Sequence, residues 1–238
     1  MVARRVSRMA EDYLKIIWKS KEWPDGSVST NEIAESLDVT PSSVSANLKK
    51  LARDGLIDYE PYGSISLTPA GREIAVLVVR RHRVLETYLV ERLGLGWDEV
   101  HAEAHSLEHA VSDFVLDRMD QVLGHPACDP HGDRIPRADG SIPQSAERST
   151  AVRLSEMDAG ADGRVIRISD HAPEILQYLE KREMSVGTSV HLDERNPAVG
   201  SVSITRLSAV RDQEDRVEIA IGAADAVWVS VDPHLADS

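Results

Sequence analysis

The sequence predicts an α+β chain in three parts: an N-terminal winged helix-turn-helix, a helical middle, and a C-terminal small β-barrel or sandwich. Three observations carry this reading. Helical periods with two cap signals and a glycine stop are followed by strand, turn and strand in the first seventy or so residues. Two helix-length stretches then flank "LGLGWD". Beyond residue 150 the pattern changes to short β-like runs.

Residues 8–21, "RMAEDYLKIIWKSK", form an amphipathic helix with Tyr13, Ile16 and Ile17 inward, and "WPDG" ends it. "STNE" has capping-box spacing, Ser29 at the N-cap and Glu32 three residues on, and opens a short helix to about Leu37. Thr40 caps the next helix and Pro41 takes its first position. That helix runs to Asp54 with Val44, Leu48 and Leu51 on one face, and Gly55 stops it. "LIDYEPYGSISLT" is two short strands around a Tyr-Gly turn. Thr68-Pro69 opens a long helix to about Arg92, and Gly94-Leu95-Gly96 breaks it. A further helix is expected from Trp97 or Asp98 through to Leu123. "GHPACDPHGDRIPRADGSIPQSAE" is rich in Pro, Gly and Asp and reads as a linker. "GRVIRI", "TSVHL", "SVSITRL", "RVEIAIG" and "AVWVSV" read as strands, interrupted by one helix, "APEILQYLEKR". The domains are expected at 1–73, 74–142 and 150–238.

With 238 residues the chain can bury one large or two small cores. No apolar run approaches the ~18 residues of a membrane span, and the basic N-terminus lacks the apolar run of a signal peptide. The single cysteine, Cys128, excludes an internal disulfide and suits a reducing cytoplasm. A net charge of −13 taken alone argues against a nucleic-acid binder. The objection weakens if the acidity lies elsewhere in the chain or if divalent cations offset it.

The second of the paired helices should enter a major groove by its N-terminal residues. There Ser42, Ser43, Ser45 and Asn47 are small polar groups that can donate to phosphates or base edges. Lys49, Lys50 and Arg53 add phosphate charge. Ser29, Thr30 and Thr40 stand at the helix starts, and Tyr62 and Ser64 at the hairpin tip are placed to touch the backbone.

"HAEAHSLEH", His101 to His109, holds three of the nine histidines. On a helix, His101, His105, Glu108 and His109 share one stripe. His105, Glu108 and His109 stand at i, i+3 and i+4, a rise of about 6 Å that one metal ion can span. His101 and His109 are about 12 Å apart along the axis, so the stripe suggests two stacked sites. A carboxylate beside imidazoles suits Mn, Fe, Co or Zn. In "RRHRVLET", His82 and Glu86 lie at i, i+4, and the turn at "LGLGWD" would pack them against the histidine stripe. The alternative for each histidine is a solvated helix face.

These stretches resemble the metal-dependent repressors of the diphtheria-toxin-repressor family, manganese-responsive branch. The winged helix, "RRHRVLETYL", "VHAEAHSLEHAVSD", "DPHGDRIP" and "GRVIRISD" carry the resemblance. It implies a cytoplasmic homodimer, joined through the helices of residues 83–123, that binds double-stranded operator DNA and represses transcription when loaded with metal. It implies Mn²⁺ as the metal, with Fe²⁺ the alternative and Co²⁺ or Zn²⁺ binding in vitro. It implies Asp12, His105, Glu108 and His109 as the primary site. A second site draws on His82, Glu86 and His101, and Asp129, His131 and Asp170 serve where the family carries "PHG"; the division of ligands between these is left open. It further implies an SH3-like (FeoA-like) C-terminal barrel.

Two departures stand out. Histidine occupies position 105, where the family has Cys or Glu, and Lys15 occupies a position where some manganese members carry a second acid. The latter argues against that version of a binuclear site. Cys128, beside Asp129, reads as a buried thiol rather than a ligand. A hydrolytic metalloenzyme is disfavoured, because "LEH" is not H-E-x-x-H and no general base stands beside it. The remaining alternative is a winged-helix regulator of an organic ligand with incidental histidines.

Overall fold

A computed structural model describes residues 6–23, 28–60, 63–144, 146–170, 172–207 and 215–231. Pro24 to Gly26 of the expected "WPDG" stop, and Tyr62 at the hairpin tip, lie outside the described residues. The chain divides into two compact units, Met1–His82 with Ser106–Arg118 and Pro136–Ile142, and Arg83–His105 with Met119–Ile135 and Pro143–Ser238.

The first unit begins with α1 (Arg8–Ser20), which Ser7 caps by accepting from the Ala10 amide. Tyr13, Leu14, Ile17 and Trp18 are buried on one face, while Ile16 is half-buried. The capping box at Ser29 and Glu32 is formed, with the Ser29 amide donating to Glu32 Oε2 at 2.6 Å, and opens α2 (Thr30–Ser36). Such a cap contributes about 1 kcal/mol. Helix α3 (Pro41–Arg53) starts at the Thr40 cap and buries Val44, Leu48 and Leu51. Strands β1 (Ile57–Tyr59) and β2 (Ile65–Leu67) pair antiparallel as the wing. Helix α4 (Pro69–Leu93) starts where Thr68 donates to the Gly55 carbonyl and accepts from the Gly71 amide. Gly71 is required there, because a Cβ would lie 1.9 Å from the Leu56 carbonyl oxygen. The faces of α1, α2, α3 and the first turns of α4 share one core with the wing.

The expected helix from Trp97 to Leu123 is two helices, α5 (Trp97–Glu108) and α6 (Asp113–Leu123). Ser112 is the reason. Its hydroxyl accepts from the Val115 amide and its carbonyl from Leu116, so "SD" restarts the helix as an N-cap with an acid in the first turn.

The second unit is built on a six-stranded sheet. Its strands are β3 (Ala151–Arg153), β4 (Asp162–Ile168), β5 (Ser189–Asn196), β6 (Ser201–Arg206), β7 (Asp215–Ala220) and β8 (Val227–Val231). Their order is β3-β8-β4-β5-β6-β7, each neighbouring pair antiparallel, with register shifts at Val165/Arg167 and Leu192/Glu194. Strand β3 was not expected; three residues are too few to show alternation. Helices α7 (Pro173–Glu180) and α8 (Ile221–Ala224) bury Leu176, Leu179, Ala223 and Ala224 in the same core as the sheet's inner residues.

The Pro- and Gly-rich stretch after α6 is packed structure in its first half, not a linker. Asp129, His131, Asp133 and Ile135 are buried, and Cys128 pairs with Arg134 in an isolated bridge. The His131 carbonyl accepts from the Ile168 amide, which ties this loop to β4. The composition is that of a sharp turn held by side chains, which Pro and Gly favour as much as they favour linkers. No helix among the described residues is long and apolar enough to cross a membrane.

Candidate metal centres and nucleic-acid interface

In the first unit the imidazole of His109 stands between two acids of α1. Its Nδ1 lies 2.6 Å from Glu11 Oε2 and its Nε2 lies 2.9 Å from Asp12 Oδ1. The fully buried Glu108 adds an oxygen 3.4 Å from the same Nε2. Ligand-type atoms of Asp12, Glu108 and His109 thus lie within 4.8 Å of one another. A carboxylate on the far ring nitrogen is the usual way a metal-binding histidine is oriented, and Glu11 fills that place. Sequence reasoning missed Glu11, although its spacing, adjacent to Asp12 on the same helix, was visible. Glu108 is also held by Lys15 Nζ on Oε1 at 2.5 Å and by His82 Nδ1 on Oε2 at 2.7 Å. His105 is half-buried on α5, three residues before Glu108 and four before His109.

The second unit gathers two further sets. His101 Nδ1 lies 3.0 Å from Glu86 Oε1 and 3.5 Å from Asp170 Oδ2, and both acids are buried. His82 precedes Glu86 by one helical turn on α4. The other set is Glu86, Asp129 and His131, all three buried. Here Glu86 is shared, and Asp170 falls with His101 rather than with Asp129 and His131. The expected trio Asp129, His131 and Asp170 is therefore divided between two sets.

The His131 site passes a test for a cation. His131 is 1% exposed, yet neither ring nitrogen has a hydrogen-bond partner. A buried imidazole with two idle nitrogens costs free energy unless something binds it. Glu86 Oε2 is 3.9 Å from its Nδ1, and Trp97 stacks edge-on with ring centroids 5.7 Å apart. Asp129 Oδ1 accepts from the amides of His131 and Asp133, both at 2.9 Å, and its Oδ2 lies 3.4 Å from Arg83 Nε. Burial, then the neighbouring Asp133, push the Asp129 carboxyl well above the usual carboxylate range, against the pull of Arg83. A cation there would offset the same burden.

Asp133 is the anchor of this loop. Arg167 Nε donates to its Oδ1 at 2.8 Å, Arg148 approaches Oδ1 at 3.3 Å, and Arg83 lies 3.5 Å from Oδ2. Burial works to raise its pKa, but Arg83 and Arg167 outweigh it and hold the carboxyl at about 2. Cys128 is exposed rather than buried and joins none of the His and carboxylate sets among the described residues. Local desolvation and then the Asp129 charge raise its thiol, which keeps it protonated at neutral pH.

The reading head presents Ser42, Ser43, Lys49 and Lys50 to solvent, with Ser45 and Thr30 half-buried. Thr40 Oγ1 shares hydrogen bonds of 2.9 Å with the hydroxyls of Ser42 and Ser43. Ser29 is exposed, but its side chain is engaged in the capping box. Asn47 differs from expectation. It is half-buried, donating to the Ser43 carbonyl at 3.1 Å and to the Tyr13 hydroxyl at 3.3 Å.

Comparison with known proteins fits these features. Residues 5–65 match the family model of the iron dependent repressor N-terminal DNA binding domain, residues 68–137 its metal binding and dimerisation domain, and residues 152–231 the FeoA domain. The iron-dependent repressor IdeR of Mycobacterium bovis is 36% identical over 167 residues, 68% of this chain and 72% of that protein. The chain belongs to the diphtheria toxin repressor family. This repressor is 32% identical over 189 residues to the diphtheria toxin repressor of Corynebacterium glutamicum, covering 76% of this chain and 82% of that one. Among solved structures, a manganese-dependent transcriptional repressor in complex with manganese superposes with a TM-score of 0.84 at 43% identity, over 93% of this chain and 99% of the other. The repressor is thus a metal-dependent transcriptional regulator that acts by binding DNA, and not an enzyme. Its C-terminal FeoA domain, residues 152–231, is the family's SH3-like module.

Proposed function

We propose that Mn²⁺ is the activating metal, that Asp12, His105, Glu108 and His109 hold it, and that the loaded homodimer grips operator DNA in the cytoplasm. The observation that carries this reading is His109 held between Glu11 and Asp12 of α1, the helix that packs into the DNA-reading core. A bound divalent ion supplies positive charge where these carboxylates converge. The chain's own part is to let the ion bind best when α1 and the His109 segment are joined, so that loading favours one arrangement of the reading heads.

Further positions are assigned to His82, Glu86, His101 and Asp170, and to Asp129 and His131 with Glu86. These modulate the response. Mn²⁺ is preferred over Fe²⁺ because the manganese-dependent repressor with bound manganese is 43% identical over nearly the whole chain. Co²⁺ and Zn²⁺ should bind in vitro at least as tightly, by the order of intrinsic affinities. The three-part organisation at 1–73, 74–142 and 150–238 follows the same reading. Dimerisation through α5 and α6 is supported by Leu107, Phe114 and Val115, which stay 40%, 71% and 42% exposed within one short segment. Such apolar side chains crowd together on soluble proteins where a partner covers them.

DNA contacts are assigned to Ser42, Ser43, Ser45, Lys49 and Lys50, with Ser29, Thr30, Thr40 and Asn47 beside them. The test is operator affinity of the full chain with Mn²⁺ and with chelator, at several salt concentrations. Binding should require metal, and each phosphate neutralised should add about 0.9 to the slope of log K against log salt. Asp12→Ala should stay a folded dimer, retain metal at the other positions, and lose DNA affinity. Equal DNA binding with and without chelator would overturn the reading.

A further inference from the structure

Helix α1 brings two acids and one lysine to Glu108 and His109. Glu11 and Asp12 reach His109, and one turn later Lys15 reaches Glu108. Lys15 is 6% exposed and Glu108 0%, and Nζ lies 2.5 Å from Oε1. That oxygen is the one facing His109 Nε2 at 3.4 Å, and the other oxygen is occupied by His82 Nδ1 at 2.7 Å. A lysine buried this deeply is retained only against a charge partner.

We propose that Lys15 is a built-in cation that competes with the metal for Glu108 and thereby raises the metal concentration at which the repressor loads. The inference rests on the reading of Asp12, Glu108 and His109 as metal ligands. Without metal, the ammonium neutralises a fully buried carboxylate on the oxygen that faces His109, which stabilises the metal-free protein. A divalent ion arriving at Oε1 must displace the ammonium or bind beside a like charge. Both cost affinity, because only the fraction of molecules with Glu108 released is competent to bind. The ammonium also fills the space beside Glu108 that a second divalent ion would need, which keeps the cluster to one ion. Lys15 therefore has two effects of opposite sign: it stabilises the empty protein and weakens metal binding. A lysine of purely structural importance would support both.

The test is titration of the full chain with Mn²⁺ alone, by calorimetry and by the electron spin resonance of free Mn²⁺, with thermal melting of the metal-free protein beside it. Lys15→Met should bind Mn²⁺ on the order of tenfold to a hundredfold more tightly, the worth of a charge-assisted hydrogen bond. Its metal-free form should melt at a lower temperature than the wild type. Lys15→Gln, which keeps a donor for Glu108 without the charge, should move in the same directions and serves if Lys15→Met does not fold. Lys15→Arg keeps the cation and should bind within about threefold of wild type, since the change leaves the competing charge in place. If the wild type binds Mn²⁺ and both neutral variants bind it equally or more weakly, the competition is wrong and the metal reading stands. If Lys15→Arg gains affinity as Lys15→Met does, charge is not the cause and the inference falls. A wild-type chain that takes up no Mn²⁺ overturns the metal reading and this inference with it.

Discussion

The side-chain amide of Asn47 on α3 donates to the hydroxyl of Tyr13 on α1, at 3.3 Å, one residue along from Asp12. The bond joins the proposed metal helix to the helix that reads DNA. Tyr13 is buried, so its hydroxyl has few other ways to be satisfied. Tyr13→Phe removes only that oxygen. It should cost at most about 1.5 kcal/mol of stability, leave Mn²⁺ affinity within about twofold, and lower metal-activated operator affinity. Calorimetry for the metal and fluorescence anisotropy for DNA check this. Operator binding equal to wild type at saturating Mn²⁺ would show that the bond is packing alone.

His131→Leu separates a metal-binding imidazole from a structural one. The substitution keeps side-chain bulk and removes two buried nitrogens that make no hydrogen bond within the chain. Metal-free stability should stay within about 1 kcal/mol of wild type or rise, because no partner is lost. Metal stoichiometry should fall by up to one per chain, and the DNA response should weaken without vanishing. Unchanged stoichiometry would remove His131 from any site.

Gly132 follows His131 with φ +89°, and a Cβ there would lie 2.1 Å from the Ile166 carbonyl oxygen. Gly132→Ala must therefore adopt a strained backbone and also push the loop off β4. Chemical denaturation should show a loss of about 2–4 kcal/mol for the second unit. The bond from the Ile168 amide to the His131 carbonyl should open with it, leaving Asp129 and His131 less well placed. A variant as stable as wild type would show that the loop yields freely.

Local rules made much of this molecule legible. The capping box at Ser29, the Thr40-Pro41 start and the Gly55 stop each involve neighbours within four residues, so their spacing is written in the sequence. The stripe of His105, Glu108 and His109 is visible for the same reason. What stayed hidden depends on contacts between distant segments. Lys15 and Glu108 are 93 residues apart, and Glu11 and His109 are 98 apart. No helical period announces that Lys15 will be buried. The "DPHGDR" loop is ambiguous in composition, because Pro and Gly mark linkers and tight turns alike. What makes it a turn is Asp133, held by Arg167 from 34 residues away. The break between α5 and α6 was legible in principle, from Ser112-Asp113, but apolar periodicity runs through it and outvoted the cap.

The identity of residue 105 should decide which metal is favoured. His105 sits half-buried on α5, one turn ahead of Glu108 and His109, where its ring can join the same ion. An imidazole is a neutral, borderline ligand, so it shifts intrinsic affinity towards the later divalent metals. A carboxylate at that position would add negative charge and a hard oxygen, which suit Mn²⁺. His105→Glu should therefore raise Mn²⁺ affinity relative to Co²⁺ and Zn²⁺, while His105→Ala should weaken all three. Competitive titration of the three metals against one chelator gives the ranking directly. Glu11 sharpens the expectation, since it holds His109 Nδ1 at 2.6 Å while Nε2 faces Asp12 Oδ1 at 2.9 Å, so that ring is oriented from both sides. The cluster then depends on residue 105 for its adjustable ligand. A His105→Glu variant with the same ranking as wild type, or a metal-bound crystal structure with the His105 ring turned to solvent, would make this histidine surface and nothing more.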